Sequence, residues 1–253
     1  MCGRYAITSS PEALRALLAY LDLPNFPPRW NVAPTQPVPI VRLDQGQRRF
    51  ALVRWGLIPS WVKDPKQFSL VFNARADAVN NKPAFQNAMK RRRCLFPADG
   101  FYEWRKEGDR SRPYFVRRRD RKPFALAGLW ESWMGPNGEE MESAAIITTS
   151  ANRLLRAIHD RMPVIMAPEA FELWLDTANV DAVTAAALLT PAPEDLLEAY
   201  EISTAVNRVA NDSAKLIEPV ETSDYVEPEP AAKPATRRAK AGGKDDGGQG
   251  SLF

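Results

Sequence analysis

The sequence predicts an α+β fold with a mixed or antiparallel, barrel-like β core flanked by helices. Three observations carry that prediction. Strand-like segments outnumber helical ones, and Gly- and Pro-rich breaks separate them. They also lack the regular strand–helix alternation of a doubly wound sheet. Finally, 45% of residues are apolar and seven are tryptophan, enough for a substantial core in 253 residues.

Taken in order, Ser10-Pro11-Glu12 reads as a helix start, with proline at the first helical position and an acid in the first turn. Ala13, Leu14, Leu17, Leu18 and Leu21 then form one apolar stripe at helical spacing. Strands are predicted at residues 38–43, 50–57, 94–96, 101–104, 114–117 and 124–133, with a short helix near 83–89 interrupting the series. Later elements are a strand at 144–149, a helix at 152–158, a strand at 163–166, helices at 168–175 and 181–189, and a strand near 200–206. The folded body is expected to span residues 1–226. From 227 to 253 the composition turns to Pro, Ala, Lys, Gly and Asp, which has little to bury and predicts disorder.

A net charge of +3 does not by itself announce a nucleic-acid binder, so any basic surface must come from local clustering. Arg91-Arg92-Arg93 and Arg117-Arg118-Arg119 adjoin predicted strands and read as solvated edges. No apolar run reaches the ~18 residues a membrane span requires, and the N-terminus lacks the basic-then-apolar pattern of a secretory signal. Two cysteines and one histidine argue against a metal site, and no cofactor is expected. Cys94, in the apolar run Arg93-Cys94-Leu95-Phe96, reads as a buried, inert thiol. A reducing cytoplasm and a monomer fit this picture.

Cys2, in Met1-Cys2-Gly3-Arg4-Tyr5, is the residue with the most distinctive chemistry. Once Met1 is removed, it carries an α-amine and a thiol on adjacent carbons. The amine can condense with an aldehyde, and the thiol can close onto the resulting imine as a five-membered thiazolidine. Roughly 10–20% of an α-amine is neutral at pH 7, against well under about 0.1% of a lysine. Ring closure is intramolecular and gains the proximity advantage. The bland alternative is a second residue tucked into a sheet.

Four further segments pair polar groups with rigid surroundings. Val71-Phe72-Asn73-Ala74-Arg75 ends an apolar run on an amide and a guanidinium, which suits substrate orientation and phosphate binding or a capped turn. In Pro97-Ala98-Asp99-Gly100-Phe101-Tyr102-Glu103-Trp104, Glu103 faces either solvent or a pocket wall; a carboxylate among aromatics tends to a raised pKa. His159, the sole histidine, sits between charges in Ile158-His159-Asp160-Arg161-Met162-Pro163 at a helix–strand junction, as a satisfied structural residue or a catalyst. Trp61 ends the loop Trp55-Gly56-Leu57-Ile58-Pro59-Ser60-Trp61, placed to stack on an unpaired base or to join the core.

Together these segments resemble the SRAP family (SOS response-associated peptidase), whose members shield abasic sites in single-stranded DNA through a covalent bond to their N-terminal cysteine. Met1-Cys2-Gly3-Arg4, Asn31-Val32-Ala33-Pro34-Thr35, residues 55–61, Asn73-Ala74-Arg75, residues 98–104 and residues 159–163 carry the resemblance in order along the chain. It implies that Cys2 crosslinks after Met1 is removed autocatalytically, and that Asn73 orients the amine and the ring-opened sugar. Glu103 would be the acid–base group, and His159 would assist Schiff-base chemistry and release. Arg4, Asn31, Pro34, Trp61, Arg75, Trp104 and Thr148 would line the DNA path. The chain departs from the pattern at Asp77, where a glutamate is expected, and at Lys82-Pro83, where some relatives carry an arginine.

Two other classes fit part of the chain. Met-Cys-Gly also opens glutamine amidotransferases with an N-terminal nucleophile, but segments for glutamine binding and an oxyanion hole are not found. A non-catalytic single-strand binder would use the tryptophans and arginines alone and hold intact and abasic DNA equally well. At the far end, Gln249-Gly250-Ser251-Leu252-Phe253 resembles the bacterial sliding-clamp-binding motif, with Leu252 and Phe253 for an apolar pocket and Gln249 for its edge; Gly250 stands where leucine is frequent.

Overall fold

The computed structural model describes residues 2–220. In chain order it contains β1 (Tyr5–Ile7), α1 (Pro11–Leu18), β2 (Arg29–Val32), β3 (Pro37–Asp44), β4 (Gln47–Trp55), β5 (Asn73–Arg75) and α2 (Pro83–Arg91). These are followed by β6 (Arg93–Ala98), β7 (Gly100–Glu107), β8 (Arg110–Arg118), β9 (Phe124–Met134), β10 (Glu140–Ser150) and α3 (Arg153–Arg156). The last are β11 (Arg161–Pro163), β12 (Ile165–Met166), α4 (Phe171–Leu175), α5 (Ala182–Ala186) and β13 (Leu197–Glu201).

Five strands close on themselves in the order β10-β4-β3-β6-β9, with β9 pairing back onto β10. Every pairing is antiparallel except β4–β10, where Arg54 and Trp55 run parallel to Ser143 and Ala144. The mixed, barrel-like core is therefore present. β3 and β4 form a hairpin whose register runs from Pro37↔Arg54 to Asp44↔Gln47. Its two linking residues, Gln45 and Gly46, both have positive φ (47° and 77°), the twist a tight two-residue hairpin needs. Gly128 on β9 is required by packing: a Cβ there would stand 2.4 Å from the Phe96 ring.

A second, antiparallel sheet has the order β13-β8-β7-β1-β2. One face packs on the barrel in a single apolar cluster that includes Tyr5, Ile7, Phe101 and Val116. The other face buries Ala6, Tyr102 and Phe115 against Ile202, Val206 and Leu216. β1 lies between β2 and β7, so the N-terminal segment is clamped on both edges. The Asp99 carboxylate holds the exit of β1 by accepting the N–H groups of Thr8 (2.6 Å) and Ser9 (2.9 Å).

The helices are short. Ser10 caps α1 through the N–H of Ala13, and Leu14 and Leu18 face the core. The left-handed residue Ala19 (φ 53°) ends it there, so Leu21 leaves the predicted stripe and is 52% exposed. Residues 152–158 supply only the single turn of α3, capped by Asn152. Residues 168–170 form a 3₁₀ turn leading into α4, and α5 is shorter than the predicted 181–189. The predicted strand near 200–206 starts earlier, at Leu197, and ends at Glu201, because Ser203 caps a 3₁₀ turn over Thr204–Asn207. The strand at 163–166 is split, with β11 on β10 and β12 on β9.

The first arginine cluster is not a solvated edge. Arg93 is buried and donates to the carbonyls of Trp174 (2.5 Å), Met89 (3.0 Å), Asp176 (2.8 Å) and Val180 (2.8 Å). Arg92 pairs with buried Glu131 at 2.6 Å. In the second cluster, Arg117 and Arg118 pair with Glu198 and Asp120. Cys94 is buried, and burial pushes its thiol well up, as an inert cysteine requires. No helix among the described residues is long and apolar enough to cross a membrane. The tail, including Gln249, Leu252 and Phe253, lies outside the described residues.

Candidate active site

Three residues ahead of β1, Cys2 is fully buried, in the same apolar cluster as Tyr5. Its carbonyl accepts a hydrogen bond from Asn73 Nδ2 at 2.9 Å. Asn73 begins β5, a three-residue strand set in parallel register on β10 (Ile146↔Asn73, Thr148↔Arg75). The strand is too short to stand alone and is held by that edge. Asn73 Oδ1 is buried with no hydrogen-bond partner among the described residues.

Glu103 lies on β7, beyond Phe101, which pairs with Tyr5. Alternation along β7 sends Tyr102 to the outer cluster and Phe101 and Glu103 to the barrel side. Glu103 thus lines a buried wall and not solvent; it is 1% exposed. Burial raises its pKa to about 7, against the lowering pull of the positively charged N-terminus. Burial also pushes the Cys2 thiol far above its ordinary range, and the Glu103 charge adds to that rise. The two groups are therefore electrostatic neighbours, the Glu103 charge making ionisation of the thiol harder.

His159 sits between α3 and β11, its side chain 28% exposed. Its Nδ1 accepts the Arg161 N–H at 3.0 Å and also lies 2.9 Å from Asp160 Oδ1. One nitrogen cannot accept from the first and donate to the second. Burial, followed by the positive N-terminus, lowers the imidazole pKa, which favours the neutral ring with its proton on Nε2. Asp160 also helps to raise the pKa of Glu103, so this segment and the β7 carboxylate belong to one electrostatic site.

The residues expected along a DNA path divide into two groups. Trp61 (58% exposed) stands edge-on to Phe68 at 5.8 Å, and Arg75 is exposed, its fork engaged by Asp77 at 3.0 and 2.5 Å. Half-buried Trp104 is steered by its Nε1, which donates to Asn207 Oδ1 at 2.9 Å. Half-buried Pro34 adjoins Thr35, a β-branched residue at φ 76° and so a point of backbone strain.

Arg4, Asn31 and Thr148 brace the fold through internal hydrogen bonds; Asn31 and Thr148 are buried, while Arg4 is half-buried. Arg4 donates to Asn31 Oδ1 (2.8 Å) and to the carbonyls of Val206 (2.7 Å) and Asn207 (3.3 Å). Asn31 is buried and donates to three carbonyls of the 206–211 turn. Buried Thr148 accepts from Arg161 through its carbonyl and its hydroxyl.

The structure adds residues that the sequence did not single out. Arg161 ties the His159 segment to β10 through Thr148. Glu131, 2% exposed, braces the Trp61 loop by accepting the Ser60 N–H (3.2 Å) together with Arg92 and Asn87. Tyr5, beside Cys2, has a buried hydroxyl with no partner among the described residues. The fixed spacing in Cys2-Gly3-Arg4-Tyr5 was the available signal for Tyr5; nothing local marks Glu131. Among the described residues, no cluster of three or more His, Cys, Asp or Glu side chains is arranged to hold a metal.

A family model described as SOS response associated peptidase (SRAP) matches residues 1–209. Abasic site processing protein YoqW of Bacillus subtilis (strain 168) is 38% identical over 222 residues, covering 86% of this chain and 99% of that relative. Abasic site processing protein YoaM of the same organism is 37% identical over 225 residues, covering 86% and 98% respectively. An X-ray structure of a protein from Bacteroides thetaiotaomicron matches the fold with a TM-score of 0.78 at 26% identity, covering 87% of this chain and 100% of that one.

Proposed function

The chain belongs to the SRAP family, and on that premise we propose that it captures abasic sites in single-stranded DNA by forming a thiazolidine crosslink at Cys2. One observation carries the proposal. The backbone of Cys2 is held by Asn73 beside a buried carboxyl whose pKa lies near 7.

Removal of Met1 by peptide-bond hydrolysis frees the amine of Cys2. Its neutral form adds to C1′ of the open-chain deoxyribose. Loss of water from the carbinolamine leaves the iminium ion, and protonated Glu103 supplies the proton that departs with the hydroxyl. The Cys2 sulfur then bonds to C1′, and its proton passes to the ionised Glu103. Near pH 7 both forms of Glu103 are populated, which suits a group that donates in one step and accepts in the next. The raised thiol pKa keeps sulfur protonated during the first step, so the amine attacks first. Sulfur capture removes the iminium before β-elimination can cleave the strand. Asn73 Oδ1, an acceptor awaiting a donor, is suited to the newly freed amine. His159, neutral with Nε2–H, is suited to relay protons during hydrolytic release.

Single strands are favoured on this reading because Trp61 and Trp104 can stack only on unpaired bases, while Arg75 exchanges Asp77 for phosphate. The sliding clamp remains a separate proposal resting on Gln249, Leu252 and Phe253, and deleting 249–253 should abolish clamp binding while sparing crosslinking. Incubation with a single-stranded oligonucleotide bearing one abasic site should give a denaturation-resistant adduct. No adduct, or an equal one from Cys2→Ser, would overturn the crosslinking proposal.

A further inference from the structure

Tyr5 is fully buried, its ring edge-on to Trp55 at a centroid distance of 5.3 Å. Its hydroxyl has no hydrogen-bond partner among the described residues. A buried hydroxyl without a partner is costly, and native folds rarely keep one without a reason. The packing here does not require it, because a phenyl ring would fill the same space against Trp55. What the hydroxyl adds is a donor on the barrel-facing side of the sheet, in the cluster that contains Cys2.

The Cys2 sulfur has the opposite deficiency. It lies 3.8 Å from the Arg4 carbonyl oxygen, an acceptor suited to S–H and repulsive to a thiolate. Burial and the Glu103 carboxylate also disfavour negative charge on sulfur. Yet sulfur must carry negative charge in transit, both when it closes on the iminium and when the ring reopens. On opening, the C1′–S bond breaks, its electron pair goes to sulfur, and the nitrogen lone pair forms the C1′=N bond. Sulfur leaves as thiolate and the nitrogen becomes iminium, so charge balances without a further reagent. The site therefore holds an anion-forming atom in need of a donor and, three residues along the same buried N-terminal segment, a donor with no partner among the described residues. Burial strongly disfavours ionisation of the Tyr5 phenol, and charge on Cys2 adds to that, so Tyr5 stays O–H, the form that donates.

We propose that the Tyr5 hydroxyl is the hydrogen-bond donor to the Cys2 sulfur while the thiazolidine C–S bond forms and breaks, so that it sets how fast the crosslink closes and releases. The proposal rests on the crosslinking reading above. Stabilising the sulfur charge lowers the barrier in both directions and leaves the closed ring and the neutral thiol untouched. Rates in both directions should therefore change together, with the yield at equilibrium unchanged.

The test is Tyr5→Phe in the full chain, which removes one oxygen. Adduct formation is followed on a single-stranded abasic oligonucleotide, and release is followed by chasing the purified adduct with excess unlabelled abasic DNA. Tyr5→Phe should slow both by about tenfold or more, as expected for loss of a hydrogen bond to a charged group. Thermal stability should hold or rise, since an orphaned buried hydroxyl is removed. Unchanged rates, or a variant that melts lower because the hydroxyl had a structural partner, would overturn the proposal. Failure of the unsubstituted chain to form any adduct would instead overturn the crosslinking reading on which it rests.

Discussion

Two of the regions in which the protein buries polar groups treat them in opposite ways. Where α4 meets β6, buried Arg93 donates to four main-chain carbonyls and organises the turn from Trp174 to Val180. Around Cys2, the hydroxyl of buried Tyr5 and the buried Oδ1 of half-buried Asn73 have no hydrogen-bond partner among the described residues, and buried Glu103 has a pKa raised to about 7. The first region is saturated, as burial of polar groups normally demands. The second keeps hydrogen-bonding capacity in reserve at a cost in stability, which is what the proposed capture of a substrate there would draw on.

The comparison predicts that substitutions in the two regions move stability and activity in opposite directions. Arg93→Met should have the largest effect on folding. It leaves four carbonyls without their donor and should cost about 3–5 kcal/mol of unfolding free energy, measured by urea denaturation. The fraction that remains folded should still crosslink. An Arg93→Met protein of normal stability would erase the contrast.

Glu103→Gln should come next, and its effects should be opposed. Loss of the acid–base group should slow adduct formation by about 10²-fold or more. Stability should rise at alkaline pH. The native pKa near 7 lies above the reference value of 4.5, so the folded state loses stability as pH climbs through that window. Glutamine removes that penalty, a gain of up to about 3 kcal/mol at pH 8 and close to none at pH 4. Melting curves at both pH values check the sign, and a gain confined to acid pH would contradict it.

Arg75→Ala should have the smallest effect. The Arg75–Asp77 pair is exposed, so stability should change by less than about 0.5 kcal/mol. Affinity for single-stranded DNA should fall, and the slope of log affinity against log salt should become shallower by about 0.7. A salt titration of wild type and variant distinguishes this from a merely structural ion pair.

Much of the architecture was legible in the sequence because long strands such as β3, β4 and β9 announce themselves by apolar content and by the breaks between them. Three short strands were not predicted as such: β1, β2 and β5 have three or four residues each and exist because neighbouring strands hold their edges. Cys2, Asn73 and Glu103 stood out as chemistry-bearing residues, and the fold brings Asn73 onto Cys2 and buries Glu103 beside it. Exposure was harder to read. Asn31 looked like a surface contact, but it is buried, and a turn some 175 residues later offers the carbonyls that engage it. Arg93 misled for the same reason, since a sequence shows a cation without the carbonyls that will surround it.

The central claim is that the amine and the thiol of Cys2 act on one aldehyde. Intact-mass analysis of the adduct with single-stranded abasic DNA, followed by thiol alkylation under denaturing conditions, tests it most directly. The expected adduct has the mass of the Met1-free chain plus the oligonucleotide less one water, with Cys94 as the sole cysteine alkylated. An adduct in which Cys2 also alkylates, or an adduct that retains Met1, would contradict it.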